Sequence, residues 1–285
     1  MKGKIIIIAL SVVLLFSNIP YFTSNGYAEN EINLLPWKKV NKVLPKYSKF
    51  IVMDIETGKE FWVQRRAGSR HADVQPITHH DTKIMKQIYD GKWSWRRRAI
   101  IVKSGNKKIA GSMHGMPHGG GALENNFPGH FCIHFFGSTT HRTNNMDLSH
   151  KLMILKAAGQ LPSHLATPDP YEVVNAYFAG LKEQDQTIVS IISLQPVQWK
   201  DLLSKIEAVR ITQMTVLPIE DLNAEIHMSI PINVDWFIKD IGLKRFHGNI
   251  ELIRFSQTDP WKVDSLSFLE NNNLSFKLDE TSLRF

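Results

Sequence analysis

Residues Ser112–His141 read SMHGMPHGGGALENNFPGHFCIHFFGSTTH. The stretch holds the one cysteine of the chain, Cys132, and five of its twelve histidines: His114, His118, His130, His134 and His141. Gly119, Gly120 and Gly121 make a turn in its middle, and Phe131–Phe136 is an apolar run of strand type. A sole cysteine forms no disulfide within its own chain. His130 and His134 each stand two positions from Cys132, so on a strand all three side chains share one face, because side chains alternate with period two. The stretch therefore predicts a β-strand carrying a Cys/His constellation at a strand–loop junction, a usual place for chemistry.

The segments before it are predominantly β. Arg98–Val102 and Lys108–Met113 predict a hairpin that delivers His114 at a strand end. Phe50–Ile55 and Glu60–Val63 predict a second hairpin around the turn residues Glu56–Lys59. In the extended segment Ser69–Val74, His71 and Asp73 lie on one side. Thr78–Tyr89 predicts a helix capped by Thr78, with Asp81 three residues on and an apolar stripe of Ile77, Ile84, Met85 and Ile88. Glu29–Lys49 is a lead-in with one short helix.

After it the character changes. Asp147–Ala158 predicts a helix, and Gln160–Tyr171, with Pro162, Pro168 and Pro170, a linker with a domain boundary near Thr167. Asp169–Leu194 predicts a helix or helix pair with Tyr171, Val174, Tyr177, Phe178 and Leu181 on one buried face. Strand-like segments follow at Ala208–Leu217, Ala224–Ile232, Gly248–Phe255 and Trp261–Leu269. The expected fold class is α+β: a mainly β catalytic domain over residues 29–165, then an α+β domain with a curved antiparallel sheet over 168–285. A chain of 285 residues is long enough for two such cores.

Residues 1–28 predict a signal peptide. Lys2 and Lys4 precede the apolar run Ile5–Phe16, and Gly26-Tyr27-Ala28 offers small residues for cleavage after Ala28. The expectation is a bacterial protein that is secreted or held in the cell envelope, with no membrane attachment after cleavage. Removing Lys2 and Lys4 lowers the net charge of +7 by two. A basic chain suits an anionic cell wall, whereas the absence of lysine or arginine runs interleaved with aromatics argues against nucleic acid as a partner.

Chemically, the thiolate is the nucleophilic form of cysteine, and an adjacent histidine can lower the thiol pKa and accept its proton. Backbone amides around Phe131 and Cys132 are candidates for an oxyanion hole. The order His114-Gly115, then Gly129-His130-Phe131-Cys132-Ile133-His134, resembles the signature of L,D-transpeptidase (YkuD-like) catalytic domains. That family has an upstream His-Gly and, some fifteen residues later, Ser/Thr-His-Gly-Cys-hydrophobic-Arg/Asn. The resemblance implies Cys132 as nucleophile, His130 as base, and His114 with Gly115 in support. It also implies acyl transfer from a peptidoglycan stem peptide to an amine or to water, with no cofactor. This chain has Gly129, Phe131 and His134 where the family has Ser/Thr, Gly and Arg/Asn. A substrate carboxylate would then be held by Arg96, Arg97 or Arg98, and the expected substrate-binding set is Gly115, His134, Arg97, Arg98, His71 and Asp73. Downstream, DPYEVVNAYFAGLKEQDQTIVSII (169–192) resembles the first helices of NTF2-like, cystatin-related domains.

Two other readings stand beside this one. His71, Asp73, His114, His118, His130, His134, His141 and Asp147 offer nitrogen and oxygen ligands for a zinc-dependent cell-wall peptidase, the first six being the preferred set. Alternatively, Cys132 is a core residue and the chain a non-catalytic wall-associated binding module.

Overall fold

The computed structural model describes residues 31–278, apart from 141–144, 168, 219–221, 223 and 275. The expected signal peptide and His141 lie outside the described residues. Described residues from Glu31 onward belong to one unit.

A short strand β1 (Ile32–Asn33) and helix α1 (Trp37–Val43) lead into β2 (Lys49–Asp54), β3 (Glu60–Ala67) and β4 (Ala72–Pro76). Helix α2 (His79–Ile88) follows, then β5 (Arg97–Ser104), β6 (Lys107–His114) and β7 (Phe131–His134). The sheet order is β1-β6-β5-β2-β3-β4-β7, and β7 also pairs with β6. Strands β2 to β7 therefore close into a six-stranded antiparallel barrel, with β1 added in parallel beside β6. Closure leaves β7 without an edge.

The alternation expected of the hairpins is what fills the barrel. Phe50, Val52, Phe61, Val63, Ala72, Val74, Ile100, Val102, Ile109, Met113, Phe131 and Ile133 form one buried core with Met85 and Ile88 of α2 and Trp37 and Val40 of α1. Thr78 and Asp81 make the full capping box that starts α2.

Helix α3 (Leu148–Ala157) lies on the outside of β5 and β6. The small residues Ala99 and Ala110 let it approach, and both belong to a second core that α3 shares with the rest of the chain. The remainder is α4 (Leu161–Leu165), α5 (Pro170–Glu183), α6 (Gln186–Ile192), α7 (Trp199–Lys205), β8 (Ile206–Met214), β9 (His227–Ile238), β10 (Gly242–Ile253), β11 (Lys262–Val263) and α8 (Ser265–Asn271). The last four strands form a curled sheet in the order β11-β10-β9-β8. The fold is thus mixed α+β, with a barrel and a curled half-barrel sheet.

Besides β9 and β10, which run beyond the expected strands, and α7, which was not expected, two segments change character. Gln160–Tyr171 is not continuous linker: α4 forms within it, with Pro162 in its first turn, where a missing N–H costs no hydrogen bond. Trp261–Leu269 is not one strand. Only Lys262 and Val263 pair, because Asp264 accepts a hydrogen bond from Ser267 N and starts α8. Among the described residues, no helix is long and apolar enough to cross a membrane.

Candidate functional site

The site is built on the outer face of β4, β7 and β6. Ala72, Val74, Phe131, Ile133 and Met113 point into the barrel, so Asp73, Cys132, His134, Ser112 and His114 point out. Register fixes their neighbours. Asp73 lies opposite Cys132 across β4 and β7, and Ser112 opposite His134 across β7 and β6. Continuing that register by one step sets His114 beside Cys132.

The loop between β6 and β7 folds back over this face. Gly115 N–H donates to Ser94 O (2.8 Å), and a Cβ on Gly115 would run into the ring of Tyr89. His118 and His130 then form an isolated antiparallel bridge, exchanging N–H···O bonds of 3.0 and 2.9 Å, with ring centroids 4.4 Å apart. Glycine is needed at both ends of this clamp. Gly119 and Gly129 have φ +58° and +133°, and a Cβ would meet the His130 ring at the first and His118 O at the second. Gln75 ties the loop down by donating to Gly129 O (2.7 Å) and accepting from Ala122 N (2.9 Å).

The imidazole in contact with the thiol is that of His118. Cys132 Sγ lies 3.3 Å from His118 Nε2 and 3.6 Å from Asp73 Oδ1. His118 Nδ1 lies 3.1 Å from Met116 O, a partner that only an N–H can satisfy. The tautomer with Nδ1 protonated is thereby selected, and Nε2 faces sulfur as an acceptor. His130, expected as the base, has Nδ1 3.1 Å from Gly120 O and converges with Asp73 on the sulfur, where His118 makes the 3.3 Å contact. His118 had been read only as an alternative metal ligand.

The thiol is not poised as a thiolate. Burial, then the charge of Asp73 and its hydrogen bond, push the Cys132 pKa up rather than down as an adjacent histidine alone would suggest. Burial would also raise Asp73, but the hydrogen bond and charge of His71 outweigh it and hold the carboxyl below its ordinary range. Burial lowers the pKa of His118 despite its bond to Met116 O. In His114, burial and the charge of His118 lower the pKa to about 3.

Beneath the thiol lies a stack of three imidazoles. His71 and His134 have centroids 4.4 Å apart with planes 19° from parallel; His134 and His150 are 3.8 Å apart at 12°. His71 Nδ1 lies 3.0 Å from Thr139 O, and its Nε2 3.3 Å from Asp73 Oδ1. His150 comes from α3, with Nδ1 2.9 Å from Ser112 Oγ. Burial first, then neighbouring positive charge, lowers the pKa of both His134 and His150 well below the usual range. His150 has no counterpart in the sequence reading. The signal available was Asp147, which caps α3 by accepting from His150 N (3.0 Å) and so orients that turn.

The expected arginines separate. Arg97, in register with His114, lies on the site face near Asp147 (3.4 Å) and Glu183 (3.8 Å). Arg98 is in register with Met113 and turns the other way, where it grips the fully buried Asp54 with bonds of 2.6 and 2.7 Å. It is a structural ion pair and not part of the outer face. A cleft of about 380 Å³, lined by Trp95, Arg96, Arg97, Met116, Lys182 and Glu183 among others, borders the site. Its half-exposed Trp95 packs on His114 and His118, with centroids 4.7 and 5.4 Å away.

Three trios around the sulfur bring ligand atoms within 4.8 Å of one another: His71, Cys132 and His134; His114, His118 and Cys132; Asp73, His130 and Cys132. Comparisons with protein-family models, with curated proteins and with solved structures find no match to this chain.

Proposed function

We propose that the chain is an exported cell-wall enzyme that uses Cys132 for acyl transfer on peptidoglycan stem peptides, of the L,D-transpeptidase or L,D-carboxypeptidase type. The observation that carries this reading is the contact of Cys132 Sγ with His118 Nε2 at 3.3 Å, with His118 Nδ1 held by Met116 O. A nucleophile, a base and a group orienting the base are the parts such chemistry needs. The signature residues His114, Gly115, His130 and Cys132 and the leader-like residues 1–28 support the substrate class and the address.

The raised thiol pKa decides how the first step runs. Sulfur does not leave its proton beforehand. It attacks the peptide carbonyl as His118 Nε2 takes the proton, and the imidazolium that forms is favoured by the carboxylate of Asp73. The protonated His118 then gives its proton to the departing amine as the C–N bond breaks. A thioester on Cys132 remains, and water or a second amine resolves it. The cleft beside Trp95 presents Arg96, Arg97 and Lys182 together with Glu183 and Glu207, a mixture suited to peptides carrying both carboxylate and ammonium groups. Residues 168–285, in the NTF2-like reading, position the enzyme or hold a wall partner.

The test is turnover of a disaccharide tetrapeptide by the wild type and by Cys132→Ala, His118→Ala and His130→Ala. Loss of activity in Cys132→Ala, and a larger loss in His118→Ala than in His130→Ala, is expected. A fully active Cys132→Ala enzyme would overturn the reading.

A further inference from the structure

Among the described residues, Cys132 belongs to every trio in which histidine, cysteine and carboxylate atoms converge. We propose that Cys132, His114 and His118 also bind one divalent ion of the zinc class, and that the bound ion switches the nucleophile off. The binding half stands on geometry; the switching half rests on the acyl-transfer reading above.

Of the three trios, this one sets two imidazoles on the thiol and borders the cleft through Trp95. His118 Nδ1 is engaged by Met116 O, which leaves Nε2 as the ligand and fixes the ring, as a carbonyl partner commonly does for a metal-binding histidine. His114 is buried, and its Nδ1 has no hydrogen-bond partner among the described residues. The S···N separation of 3.3 Å to His118 is close to the roughly 3.5 Å set by tetrahedral zinc with Zn–S near 2.3 Å and Zn–N near 2.0 Å. Both imidazoles lie against Trp95, which lines the cleft. The trio with His71 and His134 is closed off by comparison: its rings are stacked and buried, and His71 is held by Thr139 O and Asp73. The third trio offers only one imidazole, His130, whose Nδ1 is engaged by Gly120 O just as that of His118 is by Met116 O; its carboxylate, Asp73, 3.6 Å from sulfur, is placed to serve the fourth position beside the chosen trio. Thiolate and imidazole donors together suit zinc, cobalt(II) or copper(II) rather than magnesium or calcium.

The chemistry balances simply. Binding forms a metal–sulfur bond, breaks the S–H bond and releases one proton to solvent, while both imidazoles bind in their neutral forms. One thiolate then compensates one of the two ionic charges, and the Asp73 carboxylate the other. A sulfur lone pair given to the ion is no longer available to a carbonyl, so the metal-loaded site is silent and the metal-free site competent.

The test is titration of chelator-treated full-length protein with Co²⁺, read by absorption. One equivalent is expected to produce a thiolate-to-cobalt charge-transfer band and to release one proton. Cys132→Ser should abolish the band, His114→Gln and His118→Ala should weaken binding at least tenfold, and the exposed-site control His79→Ala should not change it. Absence of the band in folded wild-type protein, or its persistence in Cys132→Ser, overturns the metal site whatever the activity measurements give. With the site present, Zn²⁺ should suppress stem-peptide turnover at one equivalent and chelator should restore it. Zinc-loaded protein that is active while chelated protein is not overturns both the switch and the acyl-transfer reading in favour of a metallopeptidase. Turnover that is indifferent to zinc overturns the switch alone.

Discussion

The Asp73 carboxylate faces the Cys132 thiol at 3.6 Å, directly opposite it across the β4–β7 ladder. A negative charge at that distance opposes a second negative charge on sulfur, and it adds to the larger effect of burial. Asp73→Asn removes the charge and keeps the shape. Alkylation of Cys132 by iodoacetamide near pH 8, measured on chelated protein, is expected to be slow in the wild type and several-fold faster in the variant. An unchanged or slower rate in Asp73→Asn would show that the carboxylate does not control the thiol.

Stability should fall in mild acid. His134 and His150 are buried as neutral rings, and their folded-state pKa values lie well below the unfolded value near 6.5. The unfolded chain therefore takes up protons first as pH falls. Their contribution is complete above about pH 6.5 and is lost below it, by up to about 1.4 kcal/mol per pH unit for each histidine. Urea midpoints of chelated protein between pH 8 and pH 4.5 should drop accordingly, and His150→Gln should flatten the profile. A wild-type midpoint that stays level to pH 4.5 would contradict the burial of neutral rings.

Arg98 and Asp54 predict a stability effect where a substrate contact had been expected. Arg98→Met leaves the Asp54 carboxylate buried without its cation, although Thr57 N and Oγ1 still reach it at 3.0 and 2.8 Å. The loss should be about 3 kcal/mol by chemical denaturation, the usual cost of breaking a buried pair from one side. In the folded fraction KM should not move. A raised KM at unchanged stability would return Arg98 to the substrate site.

Gly129→Ala tests the clamp. The residue is at φ +133°, and an added Cβ meets His118 O, so the His118–His130 bridge must open. With His118 displaced, kcat should fall at least tenfold, by analogy with general-base losses of about 10²–10⁴. Far-UV circular dichroism should show the strands retained, although Phe127 and Phe131 on either side of Gly129 belong to the barrel core. Full activity in this variant would free the base role from the bridge.

Much of the fold was legible because its signals are local. The Thr78 and Asp81 capping box, the two hairpins and the strand at Phe131 each depend on residues within a few positions of one another. The side-by-side placement of His71 and Asp73 also follows from strand parity. Parity would have sorted the arginines too, since Arg98 pairs with apolar Met113 and Arg97 with His114, but only once the hairpin register is known. The contact of His118 with sulfur was not legible, for a longer-range reason. It depends on a bridge across the glycine loop, and nothing in the spacing of histidines reports positive φ at Gly119 and Gly129. His150 arrives from a helix whose docking depends on Ala99 and Ala110, far away in sequence. In α8 the apolar residues Leu266, Phe268 and Leu269 hid the N-cap at Asp264.

The strand that carries Cys132 is also the strand that closes the barrel. It adds to β4 and β6 only after a long loop has folded back, and the thiol meets Asp73 across 59 residues of chain. Such a non-local pairing forms late, because loop closure must precede its reward. An incompletely folded molecule thus carries an ordinary solvent-facing thiol, open to oxidation and mixed disulfides. The finished molecule hides it, with 4% of the residue exposed. Closing the barrel is therefore also what shields the thiol.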